Sequence, residues 1–392
     1  MEVRYANKDE KNIAINFWKE SFKDTDEQIN FYFNEIFDHN NYLILEDEEK
    51  IVSSLHENPY ILNFNSQKID TKYIVGVSSD ISLRNKGYMK YLLTSMLTLS
   101  KRKNLPFVFL TPINPEIYRK FDFEYFSDIE YYSFSIEELI EFKKPSNNYG
   151  YLKINEKNIK FCVKDLIKIY NFNMKNNFSY LERDEYYFKK LLKETFVDEM
   201  KTYILYKDNI PSAYIIYGLE NDTVEIRECF AMDPTSYKEI LSLIYGYRDY
   251  YSKVNLASPK GSNINFIFSN QLKIERKILP FMMLRILNPI NVFKILNLEN
   301  TNLKISIIDK TLSENTGLYT LNKDITFSKD INEADIEIDI KDLVFLVSGY
   351  FSVEELLKLN KIKILESNKE NALIEKLNKI FKKKKSYLYE FL

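Results

Sequence analysis

Tyr73, Ile74, Val75 and Val77 form a short apolar, partly β-branched run, and after Gly87 the period changes: Met89, Leu92, Leu93, Met96 and Leu97 recur at three and four positions. The first pattern predicts a buried strand and the second one face of a helix. Between them lies a polar loop carrying Arg84 and Lys86. At a strand-to-helix join the first N–H groups of the helix are unpaired, and the helix dipole favours an anion there. Gly87 would let that anion reach the backbone without meeting a Cβ. Residues 73–90 therefore read as a diphosphate-binding turn, with a loop of solvated basic residues as the plain alternative.

Upstream, Ile13, Phe17, Phe22, Ile29, Phe33 and Phe37 keep helical spacing with a polar break at 23–26, which predicts two helices. Residues 42–45 and 51–55 flank a charged turn and predict a hairpin, and another strand is expected at 61–64. His56 ends the second hairpin strand; a lone histidine there is read as structural or solvated. Downstream, a helix over 88–102 and an apolar strand over 106–110 complete a right-handed parallel βαβ unit. Pro112 and Pro115 then flank a polar turn, followed by a short helix at 117–121 and a strand.

Residues 135–142 read as a helix and 143–148 as a linker. Beyond it the pattern predicts helices at 166–174, 186–196 and 238–245 and strands at 203–206, 213–217, 224–230 and 265–269. Glu225 and Arg227 alternate with Val224 and Ile226 and are expected to face solvent. At Phe281 the composition shifts, and strands at 303–308, 317–321 and 334–340 precede helices at 341–348 and 352–359. The chain ends in SYLYEFL after four lysines. Leaving each large apolar side chain of that tail in water costs roughly 1.5–3 kcal/mol, so the tail is expected to dock.

Composition narrows the function. The 392 residues are 45% hydrophobic and 29% charged, the balance of a globular protein of two or three domains. A net charge of -2 offers no general attraction to nucleic acid or to an anionic membrane, so neither is expected as a partner. Cys162 and Cys229 are the only cysteines and His39 and His56 the only histidines. The expectation is free thiols, a cytoplasmic protein, no metal, and no acyl-enzyme route through a Cys–His pair.

Two stretches carry a family resemblance: VGVSSDISLRNKGYMKYLL at 75–93 and FVFLTPINPEIYRKFDFEYF at 107–126. They resemble the GNAT acyltransferases, and more narrowly the enhanced-intracellular-survival (Eis) type of N-acetyltransferase. The DIEIDIKDLVFLVSGYFSVEELLKLNKI stretch resembles the sterol-carrier-like C-terminal domain of that type. The resemblance implies an α+β fold (mixed α/β) of tandem GNAT domains, 1–142 and a degenerate 149–285, with a sterol-carrier-like domain at 286–392 whose tail docks at the active site. It implies acetyl-CoA as co-substrate: Val77, Ser78 and Ser79 on the pantetheine arm, and Arg84, Asn85, Lys86, Gly87, Tyr88, Met89 and Lys90 around the pyrophosphate. Met89 stands where glycine or alanine is usual, and Asp122 where a glycine would be. Asn114 would reach the thioester end, Tyr118 would protonate the leaving thiolate, and the C-terminal carboxylate of Leu392 would take the amine proton. Glu390 would help to bind a cationic substrate. A phenol of pKa about 10 can supply that proton.

The implied activity is acetyl transfer to a primary amine of an aminoglycoside, a polyamine or a lysine, by direct attack, in a homo-oligomer for which a hexamer is the family's candidate. The alternative is a non-catalytic protein that binds coenzyme A or an apolar ligand at a vestigial site. No second active site is expected, because no R-x-x-G element follows a strand in residues 149–285.

Overall fold

The computed structural model describes residues 1–83, 85–143, 148–365 and 370–390. After strand β1 (Glu2–Tyr5) come helices α1 (Lys11–Ser21) and α2 (Asp26–Glu35), separated at the expected break, where Thr25 forms a capping box with Gln28. Strands β2 (Tyr42–Asp47), β3 (Lys50–Phe64) and β4 (Gln67–Ser79) make an antiparallel meander. The strands expected at 51–55 and 61–64 are thus one. Helix α3 (Tyr88–Arg102) buries Leu92, Leu93, Met96 and Leu97, the face that their spacing predicts. It leads to β5 (Phe107–Leu110), fully buried and parallel to β4, then to α4 (Pro115–Arg119) and β6 (Glu124–Ser135).

A second region supplies β7 (Tyr149–Lys153), α5 (Ile159–Met174), β8 (Ser179–Leu181), α6 (Glu185–Val197), β9 (Lys201–Lys207), β10 (Ile210–Glu220) and β11 (Thr223–Ala231). Helix α7 (Pro234–Ser242) then joins β11 to the parallel β12 (Lys253–Pro259), and β13 (Glu275–Ile286) closes the region. Residues 265–269 are not a strand: Ile264–Ile267 is a 3-10 helix. The strand is β12, whose run KVNLASP is too polar for hydrophobic spacing to reveal. Ile136–Phe142 is likewise a 3-10 helix. Phe281 lies inside β13, so the compositional shift there falls within a strand and not between domains.

The two regions share one sheet. Its order is β1-β2-β3-β4-β5-β13-β6-β12-β11-β10-β9-β7, with β8 on the side of β3. β13, the last strand of the second region, pairs with β5 and β6 of the first, while β6 pairs on its other edge with β12. Each region has handed a strand to the other.

The C-terminal region comprises α8 (Pro289–Ile295), β14 (Leu303–Ile308), β15 (Gly317–Leu321), β16 (Ile325–Ser328), β17 (Ile336–Asp339), α9 (Ile340–Ser348), α10 (Val353–Lys358), β18 (Ile362–Ile364), α11 (Glu370–Ile380) and β19 (Ser386–Tyr387). Its sheet runs β16-β15-β14-β17-β18. Arg285 of β13, fully buried, is held by both carboxylate oxygens of Asp309 at 2.7 and 2.8 Å. Asp122 adopts φ +61°, as its place in a glycine position requires, and its carboxylate accepts from the Thr311 amide and hydroxyl. The substituted residue has become a tie to the C-terminal region.

One irregularity shapes the centre of the first region. Gly76 and Val77 of β4 both stand opposite Leu55 of β3, a bulge in which Gly76 takes φ +61°. A Cβ there would lie 2.8 Å from both the His56 and the Trp18 ring. His56 itself is buried among Trp18, Tyr32, Phe33, Phe37 and Tyr42, and burial pushes its pKa down to about 3. It is structural.

That burial gives a pH dependence of known sign. The folded chain refuses a proton that the unfolded chain accepts below the ordinary histidine pKa of 6.5, so His56 leaves stability intact above pH 6.5 and lowers it as pH falls from there toward 3. Between pH 7 and 5 the loss from this group is about 2 kcal/mol. Urea unfolding of the native chain and of His56→Leu at both pH values should show the smaller drop in the variant. Equal drops would place His56 outside the linkage.

Candidate active site

β4 and β5 are paired only at Tyr73 and Phe109. Beyond that point they diverge, and the opening holds a cavity of about 190 Å³. Tyr73, Gly76 and Val77 form one wall, Thr111 and Tyr118 the other, and Glu390 reaches it from the far end of the chain. The bulge at Gly76 turns the β4 backbone at the mouth of this wedge. Tyr118 sits in α4, half-buried, with its ring against Phe123. Burial pushes its phenol up to about 12, so at neutral pH it holds its proton.

At the open end of β4, Ser53 donates to the Ser78 carbonyl at 2.6 Å, and Ser54 and Ser78 share a hydrogen bond, which fixes the backbone of Val77, Ser78 and Ser79. The chain then turns through Asn85 (φ +67°) and Gly87 (φ +86°) into α3. Gly87 is the N-cap and makes no side-chain cap bond, and a Cβ on it would meet nothing within 4 Å. The first N–H groups of α3 thus face open space at the positive end of the helix dipole. Lys86 and Lys90 are exposed beside them, Tyr88 donates to Asp47 at 2.8 Å, and Met89 packs against the core under α3. Arg84 lies outside the described residues.

The tail enters the same site. Ser386–Tyr387 pairs in parallel with β8, Tyr387 packs on Phe230, and Tyr389 stacks on Phe281. The Tyr389 carbonyl accepts from Arg183, which is itself paired with Glu228 at 2.7 Å with both side chains buried. Glu390 is buried where its carboxylate accepts from Tyr60 at 2.5 Å, from Lys190 at 3.1 Å and from the Tyr187 hydroxyl. Burial by itself would raise its pKa; the Lys190 charge and the two phenol donors outweigh that and hold it below the usual carboxylate range. Leu392 lies outside the described residues.

Trp18 and Asp24, joined by a 2.6 Å bond from the indole N–H, belong to two cavities at once. The second, of about 360 Å³, extends from them between the first two regions to Glu194, Asp198, Glu225 and Arg227. Arg227 is buried and bonded to Glu194 at 2.8 Å, not turned to solvent as its alternation predicts. Asn114 is exposed, and its side-chain oxygen caps α4 through the Glu116 amide. Pattern reading passed over Trp18, Asp24, Tyr60, Arg183, Tyr187 and Lys190. Asp24 did leave a trace, as one of the polar residues that break the two N-terminal helices. Among the described residues no three His, Cys, Asp or Glu side chains could hold a metal ion, and no helix is long and apolar enough to cross a membrane.

A wedge between parallel strands, an uncapped helix start beyond it and a protonated phenol across from it stand together in the first region. Family models match the chain in three parts. An acetyltransferase (GNAT) domain matches residues 2–126, a second acetyltransferase (GNAT) domain residues 179–286, and a sterol carrier protein domain residues 289–389. The chain belongs to the GNAT acetyltransferases, with two such domains and a sterol-carrier-type C-terminal domain, and is by class an acetyl-CoA-dependent N-acetyltransferase.

Solved structures share the whole architecture. A GCN5-related N-acetyltransferase from Anabaena variabilis ATCC 29413 is 18% identical with a TM-score of 0.82, each chain covered in full. A probable N-acyltransferase from Enterococcus faecalis V583 is 17% identical at 0.83, over 100% of this chain and 99% of that one. Eis1 from Mycobacterium abscessus is 12% identical at 0.76, with both chains covered in full. No curated protein matches the sequence.

The buried Lys190–Glu390 pair yields a test. Lys190→Met leaves a buried carboxylate with phenol donors but without its paired ammonium, and should cost about 3–5 kcal/mol in chemical denaturation. Adding Glu390→Gln should recover most of that loss. A double variant as unstable as the sum of the single changes would show that the two charges are not coupled.

Proposed function

We propose that the chain transfers an acetyl group from acetyl-CoA to a primary amine by direct attack in a ternary complex. The observation that carries this reading is the meeting of two cavities at Trp18 and Asp24, one walled by the protonated Tyr118 and the other by carboxylates. In this reading the backbone of Val77, Ser78 and Ser79 holds the pantetheine arm, and residues 84–90 surround the pyrophosphate. The amine nitrogen attacks the thioester carbonyl, the C–S bond breaks, and the expelled thiolate takes the phenolic proton of Tyr118. The ammonium proton passes to the C-terminal carboxylate of Leu392, directly or through water, and solvent restores the phenol. Asn114 stands beside the thioester end. Glu390, paired with Lys190, holds the tail in the wall of the smaller cavity and, from there, helps to bind a cationic acceptor.

Tyr118→Phe should lower kcat by about 10²–10⁴-fold and leave the dissociation constant of acetyl-CoA within about twofold. An unchanged kcat removes Tyr118 from the mechanism. Deleting residues 391–392 should lower kcat while Tm stays put; full activity would leave the tail a packing role alone. No turnover with any amine, together with no binding of acetyl-CoA, would overturn the enzyme reading.

A further inference from the structure

The larger cavity has a chemistry that its neighbour lacks. Asp24, Glu194, Asp198 and Glu225 contribute carboxylates, and Arg227 is the one basic residue among its lining. Asp24 and Glu225 are hydrogen-bonded by the neutral donors Trp18 and Asn255, while Asp198 accepts from Gln28 and shares Arg227 with Glu194, so four carboxylates face a single guanidinium. The cavity therefore favours a cation. Yet most of its wall is carbon: Trp18, Phe31, Tyr131, Ile226, Ala257 and Tyr389 face it.

Glu194 adds a specific demand. Its side chain is about nine-tenths buried, one oxygen accepts from Arg227, and the other, Oε2, is buried with no hydrogen-bond partner. A buried acceptor without a partner has lost its water and gained nothing in return. Glu194 borders only the larger cavity, whereas Asp24 borders both. A ligand that spans them would lie against a carboxylate at the transfer end and beside Glu194, whose Oε2 lacks a partner, further in.

We propose that this cavity takes the acceptor, and that the acceptor is an amine on an apolar, ring-sized carbon body with a second hydrogen-bond donor at its far end. The inference rests on the N-acetyltransferase reading and deepens it. A polyhydroxylated aminoglycoside would bring many hydroxyls against ring faces that cannot pair them. An open-chain polyamine would meet the carboxylates but cover little of the carbon wall, whereas an aromatic body covers that wall and leaves one ammonium for the carboxylates.

The test uses the full chain at saturating acetyl-CoA and follows thiol release with tyramine, phenethylamine, kanamycin, spermidine and a lysine peptide. Tyramine should give the highest kcat/KM, phenethylamine about tenfold less for lack of the second donor, and the others less still. Glu194→Gln should erase the preference of tyramine over phenethylamine. Because that change also touches Arg227, Phe31→Ala serves as a second variant: it should raise KM for both aryl amines and leave acetyl-CoA affinity within about twofold. Highest kcat/KM with kanamycin, spermidine or the peptide overturns the inference and leaves the acetyltransferase reading standing. Equal rates with tyramine and phenethylamine overturn the second donor. No turnover with any amine overturns the inference, and it overturns the acetyltransferase reading as well only if acetyl-CoA also fails to bind.

Discussion

The molecule depends on β6 pairing along both of its edges. A strand has two rows of hydrogen-bonding groups, and β6 gives one row to β13 and the other to β12. β13 in turn joins β5, so the first region's sheet is completed by a strand from the second. Separating the two regions would strip β6 of both rows and expose its buried residues to water. The wedge between β4 and β5, the cavity beside Trp18 and the seat of the tail all lie against this shared core, so their spacing is set by backbone geometry and not by the packing of loosely docked domains.

The second region holds the tail. It contributes α6, whose Tyr187 and Lys190 hold Glu390, and β11, whose Glu228 pairs with the Arg183 that grips the Tyr389 carbonyl. These are buried charges, costly in isolation and tolerable because each has a partner of opposite sign and further hydrogen bonds. Where the first region holds the wedge between β4 and β5, the second builds the tail into its wall. Tyr387 packs on Phe230 of β11, so the tail occupies ground beside the parallel pair that α7 connects.

What the sequence showed followed from periodicity. α3 and β5 were legible from their apolar spacing, the turn between β4 and α3 from a glycine and basic residues standing between two such patterns, and the short helix that carries Tyr118 from the prolines before it. β12 was not, because its run is nearly half polar, and its partners β6 and β11 come from two different regions. The exchange of β13 was invisible for the same reason: strand order is a long-range fact, and local pattern is silent about it. Arg227 shows the limit of alternation. It occupies an outward position by period, but a second layer covers that face, and Glu194 supplies the charge that lets it stay buried. Asp24 and Glu194, 170 positions apart in sequence, share a cavity that neither predicts alone.

The strand exchange bears on how the protein is made. A chain emerging from the ribosome has delivered β1 to β6 by residue 135, yet the slot between β5 and β6 stays unfilled until Ile286 has emerged, about 150 residues later. During that interval the first region is a sheet with a gap at its centre and two open edges facing it. Such edges attract any passing strand. Synthesis thus passes through a stretch in which the nascent first region needs either shielding or speed, and the finished protein carries no outward sign of it.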